Sequence, residues 1–330
     1  MKAIVRDRYG APDTLRCEDI PTPTPGPGEV LVAVHRSSVN TADLDQLFGR
    51  PRIARLGTGL SRPRTRLGLD LAGVVESVGD GVTRFKAGDR VWADVFSNGA
   101  GAFAEYVCAR EKAFVPLPEG VSMSQAATIP HSGLLAKQGL EVRGGVRPGD
   151  RVLINGAGGC VGPFAIQIAK HRGAHVTGVD HASKLDFVKI VGADVVVDYT
   201  TEDFTRPGGQ FDYILDIAAR RTLLSHRRAL TPHGTYVQIA RTLGGFFRAA
   251  MFGGLLSLTS KKRLGLFMWE GNRERDLIEL AGLVADGKIE TIIDRELSLD
   301  EVPEAMSYLA AGHARGKLVV NVASEKSADG

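Results

Sequence analysis

Cysteine is scarce in this chain of 330 residues: only Cys17, Cys108 and Cys160 are present. Their odd number and wide spacing, with no CxxC and no Cys/His cluster, exclude a disulfide framework and a structural zinc site of the usual spacing. Charge of one sign is scarce too. Lys and Arg number 41 against 38 Asp and Glu, a net charge of +3, which gives no footing for nucleic acid. Long hydrophobic runs are lacking. The most apolar window, Leu243–Leu258, is broken by Arg248 and four glycines and is too short to span a bilayer. The opening MKAIVRDRYG has no apolar stretch of signal-peptide length. These features predict a reducing cytoplasm and no membrane partner. A composition of 43% hydrophobic and 24% charged residues excludes wholesale disorder and a fibrous repeat.

The chain length predicts about two domains, with ample core. Glycine is abundant, at 40 residues, which points to many tight turns or close backbone approaches. After the turn-rich PTPTPGPG, the apolar run EVLVAVHRSSV (Glu29–Val39) reads as a strand. LAGVVESVG, RVWADVF and GAFAEYVCA follow with glycine punctuation, the pattern of a barrel-like or sandwich-like β domain. Near residue 123 the rhythm changes. SMSQAATIPHSGLLAKQGL is helical, with Ser122 or Ser124 as N-cap. Strands RVLIN, HVTGVD, DVVVD, FDYILDI and GTYVQIA then alternate with helices. Such nearly all-apolar strands indicate a parallel sheet covered on both faces. The expected division is 1–122 and 272–330 for a β-rich domain and 123–271 for a doubly wound one. The tail ASEKSADG is expected to be disordered.

The sharpest local signal is NGAGGCVGPFAIQIAK (Asn155–Lys170), between a buried strand and a helix. Ala157, Gly159 and Gly162 form an A-x-G-x-x-G version of the dinucleotide fingerprint. Gly159 lets the backbone approach a pyrophosphate, and Gly162 lets the helix pack on the sheet. The helix start offers free N–H groups and a partial positive charge. Ala157, Gly158, Gly159, Cys160, Val161 and Gly162 are therefore cofactor candidates. Asp180, 18 residues after Gly162, either binds an adenosine ribose, favouring NAD, or caps the next helix. Ser183, Lys184 and His181 could instead hold a 2′-phosphate, so NAD and NADP stay open. Cys160, beside a helix start, is expected to be shielded from alkylation by bound cofactor, or else to be an inert small residue.

This loop, with RFKAGDRVWAD, GAFAEYVC, GADVVVDYTTEDF and EVPEAMSYLAAGHARGKLVV, resembles the medium-chain dehydrogenase/reductase superfamily over about Met1 to Val322. Within it the chain resembles the zinc-independent quinone oxidoreductase (zeta-crystallin-like) branch, whose members also carry the label NAD(P)-dependent alcohol dehydrogenase. The resemblance implies an α/β fold in which a GroES-like β-rich catalytic domain accompanies a doubly wound Rossmann domain, with the active-site cleft where they meet. It implies NAD(P)H as cofactor and a homodimer joined through the Rossmann sheets, with GLFMW (Gly265–Trp269) at that edge. It also adds Ile217, Ile239 and Lys317 to the cofactor residues.

The zinc-dependent relatives use a Cys, then the His of GHE, then a Cys or His. The matching positions here are Asn40, Leu69 and, by motif counting, His131. Leucine binds no metal and asparagine is a poor zinc ligand, so no metal is expected. Hydride chemistry belongs to the nicotinamide, and the protein must supply donors or a proton for a carbonyl oxygen that gains charge. The N-x-x-D signature of the related branch falls on Asn40 and Asp43. Asn40 either donates to the substrate oxygen or bonds its own backbone. Asp43 holds the loop or reacts. The tyrosine that often follows is absent from LDQLFGR, leaving His131 as the alternative donor or as a histidine at a helix start.

The stretch Arg50–Arg66 carries six Arg and no acid. It is either a gate attracting an anionic substrate or a solvated surface segment. Leu243–Leu258 would cap the substrate cleft, pack at a dimer interface or lie on a membrane. The expected activity is hydride transfer to a hydrophobic quinone or α,β-unsaturated carbonyl. Alcohol/aldehyde dehydrogenase, enoyl-thioester reductase and a non-catalytic nucleotide sensor are the alternatives.

Overall fold

The computed structural model describes residues 1–63, 66–206, 210–219, 221–239, 262–267 and 269–322. The apolar window Leu243–Leu258 and the tail after Val322 lie outside the described residues. The chain divides into two compact units. One comprises Met1–His131, Gly271–Asp286 and Ile293–Gly330; the other comprises Ser132–Glu270 and Gly287–Ile292.

The first unit is organised by the strand Glu29–Val39. Its alternate residues Val30, Val32 and Val34 are fully buried, as the two-residue period of a strand requires. They share one core with Leu71, Val91 and Phe114. On one edge it pairs antiparallel with Asp70–Val78, which pairs with Arg90–Asp94. The start of Glu29–Val39 pairs with Tyr106–Arg110. On the other edge its far end pairs with Lys317–Asn321, bringing Leu318 opposite Val39. The last fifty residues thus complete the first unit's sheet. The helix Val302–Ala310 seals a second core through Ala305 and Met306, against Val39, Leu47 and Leu318.

A strand at Ile293–Ser298 pairs parallel with Lys317–Asn321. It carries no sequence signal, because IDRELS is polar and only Leu297 is buried. As an edge strand it needs no alternating apolar face. The single helix read over Ser122–Leu140 is two, Met123–Ala126 and Pro130–Gly139. Ser122 is the N-cap of the first, accepting from the Gln125 N–H. Pro130 opens the second, where its missing N–H costs nothing.

The second unit holds a six-stranded parallel sheet among its described residues. Its order is Val195–Asp198, His175–Asp180, Arg151–Asn155, Phe211–Asp216, Leu230–Gln238, Arg263–Leu266. In chain order this is 3-2-1-4-5-6, the dinucleotide-binding arrangement whose direction reverses between the first and fourth strands. Val152, Leu153 and Ile154 are wholly buried, as a strand covered on both faces demands. The edge strand runs Arg263–Leu266, two residues earlier than GLFMW suggested.

Candidate functional site

The phosphate loop sits where the order reverses. Arg151–Asn155 leads into the loop and Gly162–His171 leaves it as a helix, with Pro163 in its first turn. Gly156 takes φ +91°, a left-handed conformation that suits glycine, and its N–H and that of Ala157 bond the Val179 carbonyl. A Cβ on Gly162 would collide with the Ala157 carbonyl. Helix and loop meet there only because the side chain is hydrogen. A Cβ on Gly159 would meet only the Gly156 carbonyl, at 3.7 Å. Gly159 is half-buried while Ala157, Gly158, Cys160, Val161 and Gly162 are buried, so the loop presents backbone at its second glycine. Those features fit a dinucleotide pyrophosphate. Cys160 is 6% exposed, so protein atoms shield most of the residue.

Asp180 ends the strand His175–Asp180. Its Oδ2 accepts the Gly158 N–H at 2.7 Å and its Oδ1 the His181 N–H at 2.8 Å. Lys184 folds back over Gly158 and its Nζ donates to the Gly158 carbonyl at 3.4 Å. Ser183 is exposed, its Oγ 2.9 Å from His181 Nδ1. The exposed Tyr199 ring lies 6.1 Å from the His181 ring. Ile217 and Ile239 follow strand ends, donating to the Asn155 and Asp216 carbonyls at 2.9 and 3.0 Å.

Beneath them is a polar network with no motif. Asp216 Oδ1 accepts from Asn155 Nδ2 and Ala219 N, at 2.7 and 2.9 Å. Its Oδ2 accepts from the Tyr236 hydroxyl at 2.8 Å and lies 3.1 Å from His226 Nε2. Burial would raise the Asp216 pKa, but His226 and these donors outweigh it and hold the carboxyl below its ordinary range.

The first unit carries a second cluster, on its own elements. Asn40 precedes the helix Thr41–Phe48. Its Nδ2 donates to Asp70 Oδ2 at 2.9 Å and to the Ser38 carbonyl at 3.3 Å, and its Oδ1 accepts from Lys317 Nζ at 2.6 Å. Asp43 Oδ2 accepts the Asn40 N–H and its Oδ1 the Gly68 N–H, at 2.8 and 3.0 Å, so it ties the helix start to the next loop. Burial pushes the Asp43 carboxyl up to about 7, against the pull of those two N–H groups.

Asp70 is the hub. Its Oδ2 also accepts from Ser38 Oγ at 3.0 Å and Lys317 Nζ at 3.2 Å, and its Oδ1 accepts the His131 N–H at 2.8 Å. His131 Nδ1 is 2.6 Å from Asp94 Oδ2. Asn272, at φ +53°, closes on Asp94: its Oδ1 accepts the Asp94 N–H and its Nδ2 donates to the Asp94 carbonyl, at 2.7 and 2.6 Å. Asp70 is fully buried, as are the Asp94 carboxylate and, within 1%, Asn40 and Lys317; the His131 side chain is 12% exposed. Burial alone would lower the His131 pKa. The charge and hydrogen bond of Asp94 outweigh that and raise it.

Lys317, grouped with the cofactor residues from sequence, therefore stands in the Asn40 cluster. Asp94 and Asn272 escaped sequence reasoning; the only sign was an acid ending the apolar run RVWAD.

The donor set does not suit zinc. Leu69 is buried and apolar, both ends of Asn40 are bonded, and an ammonium occupies the space between Asn40 and Asp70. Among the described residues no group of three or more His, Cys, Asp or Glu is arranged to hold a metal ion.

Comparison with known proteins places this architecture. The chain is 35% identical over 335 residues to the chloroplastic quinone oxidoreductase QR1 of Triphysaria versicolor, covering 97% of this chain and 98% of that one. The chain belongs to the medium-chain dehydrogenase/reductase superfamily. Its place is the zinc-independent quinone oxidoreductase branch. The mitochondrial NAD(P)H oxidoreductase RTN4IP1 of Mus musculus is 34% identical, over 98% of this chain and 89% of that one. The solved quinone oxidoreductase of Coxiella burnetii superposes with a TM-score of 0.87 at 31% identity, covering 98% and 99% of the two chains. Residues 26–119 match the alcohol dehydrogenase GroES-like domain, and residues 191–320 match the family described as zinc-binding dehydrogenase. The superfamily also contains zinc enzymes, but of this member's corresponding positions only His131 is of a zinc-ligand type, beside Leu69 and Asn40.

Proposed function

We propose that the chain is an NAD(P)H-dependent oxidoreductase that reduces a quinone or an α,β-unsaturated carbonyl without metal, with His131 as its proton donor. Membership of the quinone oxidoreductase branch supports the reaction class. The observation that carries the catalytic assignment is the 2.6 Å contact between His131 Nδ1 and the buried Asp94. When bound, the nicotinamide supplies the hydride. The chain's own residues do the rest. The Ala157–Gly162 backbone holds the pyrophosphate. Asp94 fixes the imidazole orientation and stabilises its charged form, which assigns proton transfer to Nε2.

Charge balance favours this division of labour. Lys317 faces Asp70, and protonated His131 faces Asp94, two opposed pairs in a buried setting. Once His131 gives up its proton, Asp94 is left uncompensated and draws a new proton to the ring. Asn40, bonded at both ends, and Asp43, bonded to two backbone N–H groups, act as positioning residues in this reading.

Asp180 favours NAD by repelling a 2′-phosphate, and Lys184 and Ser183 favour NADP, so parallel titrations with NADH and NADPH decide the preference. A homodimer is inferred through the edge strand Arg263–Leu266, which pairs only with Leu230–Gln238 among the described residues. Light scattering at the mass of one chain would remove it. The three free cysteines suit the reducing cytoplasm, which fractionation checks.

The test of function follows oxidation of NADH and NADPH with naphthoquinones and enones, after chelator treatment. Turnover that survives chelation and falls in His131→Asn is expected. Cofactor binding with no acceptor reduced would overturn the reading.

A further inference from the structure

Between Asp45 and Asp70 the chain carries six arginines and no acidic residue. Arg50, Arg52, Arg62 and Arg66 are exposed. Among them stand three large apolar side chains, Ile53, Leu56 and Leu60, exposed by 55%, 71% and 69%. A soluble surface normally scatters such residues singly; here three fall within eight positions, among arginines.

The stretch is braced from beneath. Arg55 stacks 4.3 Å over the Tyr9 ring, and its guanidinium donates to the Gly49 and Phe48 carbonyls at 3.0 and 2.9 Å. The Tyr9 hydroxyl donates to the Gly59 carbonyl at 2.7 Å and lies 2.9 Å from Thr58 Oγ1. Ile53, Leu56 and Leu60 are therefore carried outward on an anchored base.

We propose that the exposed side chains of this stretch seat the first unit on an anionic lipid bilayer. Arg50, Arg52, Arg62 and Arg66 meet lipid phosphates, for which the guanidinium fork is suited. Ile53, Leu56 and Leu60 enter the boundary between headgroups and acyl chains. The pairing of charge with aliphatic side chains selects this occupant. A nucleic acid or a small anion would engage the arginines and leave the aliphatics in water. Such seating would depart from the expectation of no membrane partner. It deepens the proposed activity, on which its second measurement rests: the acceptor is a lipophilic quinone dissolved in the bilayer.

The first measurement needs no turnover. The protein is sedimented with vesicles of phosphatidylcholine alone or mixed with phosphatidylglycerol. Recruitment to the anionic vesicles only, loosened by salt, is expected. Arg52→Glu with Arg62→Glu, and separately Leu56→Asp with Leu60→Asp, each lower the bound partition by about tenfold or more. Both variants are expected to keep the melting temperature and cofactor binding of the parent, since these side chains face water. No recruitment to anionic vesicles overturns the proposal; so does equal recruitment of parent and variants, or retention on heparin without recruitment, which would point to a soluble acidic partner.

The second measurement compares a long-chain quinone delivered in anionic vesicles with a short water-soluble one. The variants should slow only the vesicle-borne reaction. Failure to reduce either quinone while vesicle binding persists would overturn the oxidoreductase reading and leave the lipid surface standing.

Discussion

The phosphate loop of the second unit draws its six residues, Ala157–Gly162, from one turn of chain, and its chemistry is backbone N–H and the absence of side chains. The cluster of the first unit gathers residues 40, 43, 70, 94, 131 and 317, and one of its bonds joins positions 277 apart in sequence. Its chemistry is opposed side-chain charge in a buried setting. A backbone site tolerates little change of shape, because a methyl group at Gly162 meets the Ala157 carbonyl. A charge site tolerates little change of balance, because each buried ion depends on its partner.

That contrast can be broken most sharply at His131. His131→Asn is expected to lower kcat by about 10²–10⁴-fold while NAD(P)H binding, measured by fluorescence titration, stays near that of the parent. With His131 as the proposed proton donor, activity should hold at low pH and decline as pH rises through the raised His131 pKa. Asp94→Asn removes the group that raises it, and the declining limb should move to lower pH. A limb that stays in place would remove Asp94 from the mechanism.

Lys317→Met tests charge balance as a matter of stability. It strips the ammonium from Asp70 and should cost about 3–5 kcal/mol in denaturant unfolding. A cost near zero would mean that Ser38, Asn40 and the His131 N–H alone satisfy the Asp70 carboxylate.

Gly162→Ala is the matching test of shape. Separation of helix and loop should cost about 1–3 kcal/mol and weaken NADH and NADPH alike. Weakening of one cofactor alone would show that the effect lies outside the pyrophosphate cradle. The smallest effect is expected at Asp180→Ala. It loses the bonds from the Gly158 and His181 N–H groups, costing about 1–2 kcal/mol, and should shift the binding ratio toward NADPH by removing a negative charge.

The two sites also differ in how much of each the sequence exposes. The dinucleotide loop is legible because its requirements are local: a buried strand, glycines at fixed spacing and a helix start. The same holds for the strand Glu29–Val39, whose two-residue apolar period is visible in the letters and in its burial. The strand Ile293–Ser298 is not legible, since an edge position relieves it of any apolar pattern. The alternation of strands and helices implies a helix after HVTGVD, but Leu185–Ile190 is preceded by a 3₁₀ turn at Ala182–Lys184, and such end effects leave little trace in composition.

For this protein, residue spacing by itself determined the alternation of strands and helices and the candidate pyrophosphate loop, while the resemblance to the superfamily singled out the zinc positions, filled here by poor ligands, and Asn40, Asp43 and His131 as candidates. Those conclusions depend on neighbours in the chain or on the chemistry of single side chains. Only the tertiary structure decided that Asp94 holds His131, that Asn272 fixes Asp94, and that Lys317 completes the Asn40–Asp70 cluster. Each depends on strand pairing between distant segments, above all the return of Lys317–Asn321 beside Glu29–Val39. A buried ion's partner is set by that pairing rather than by any local pattern, and it decides whether a carboxylate in an apolar strand is a structural brace or the ground of an acid catalyst.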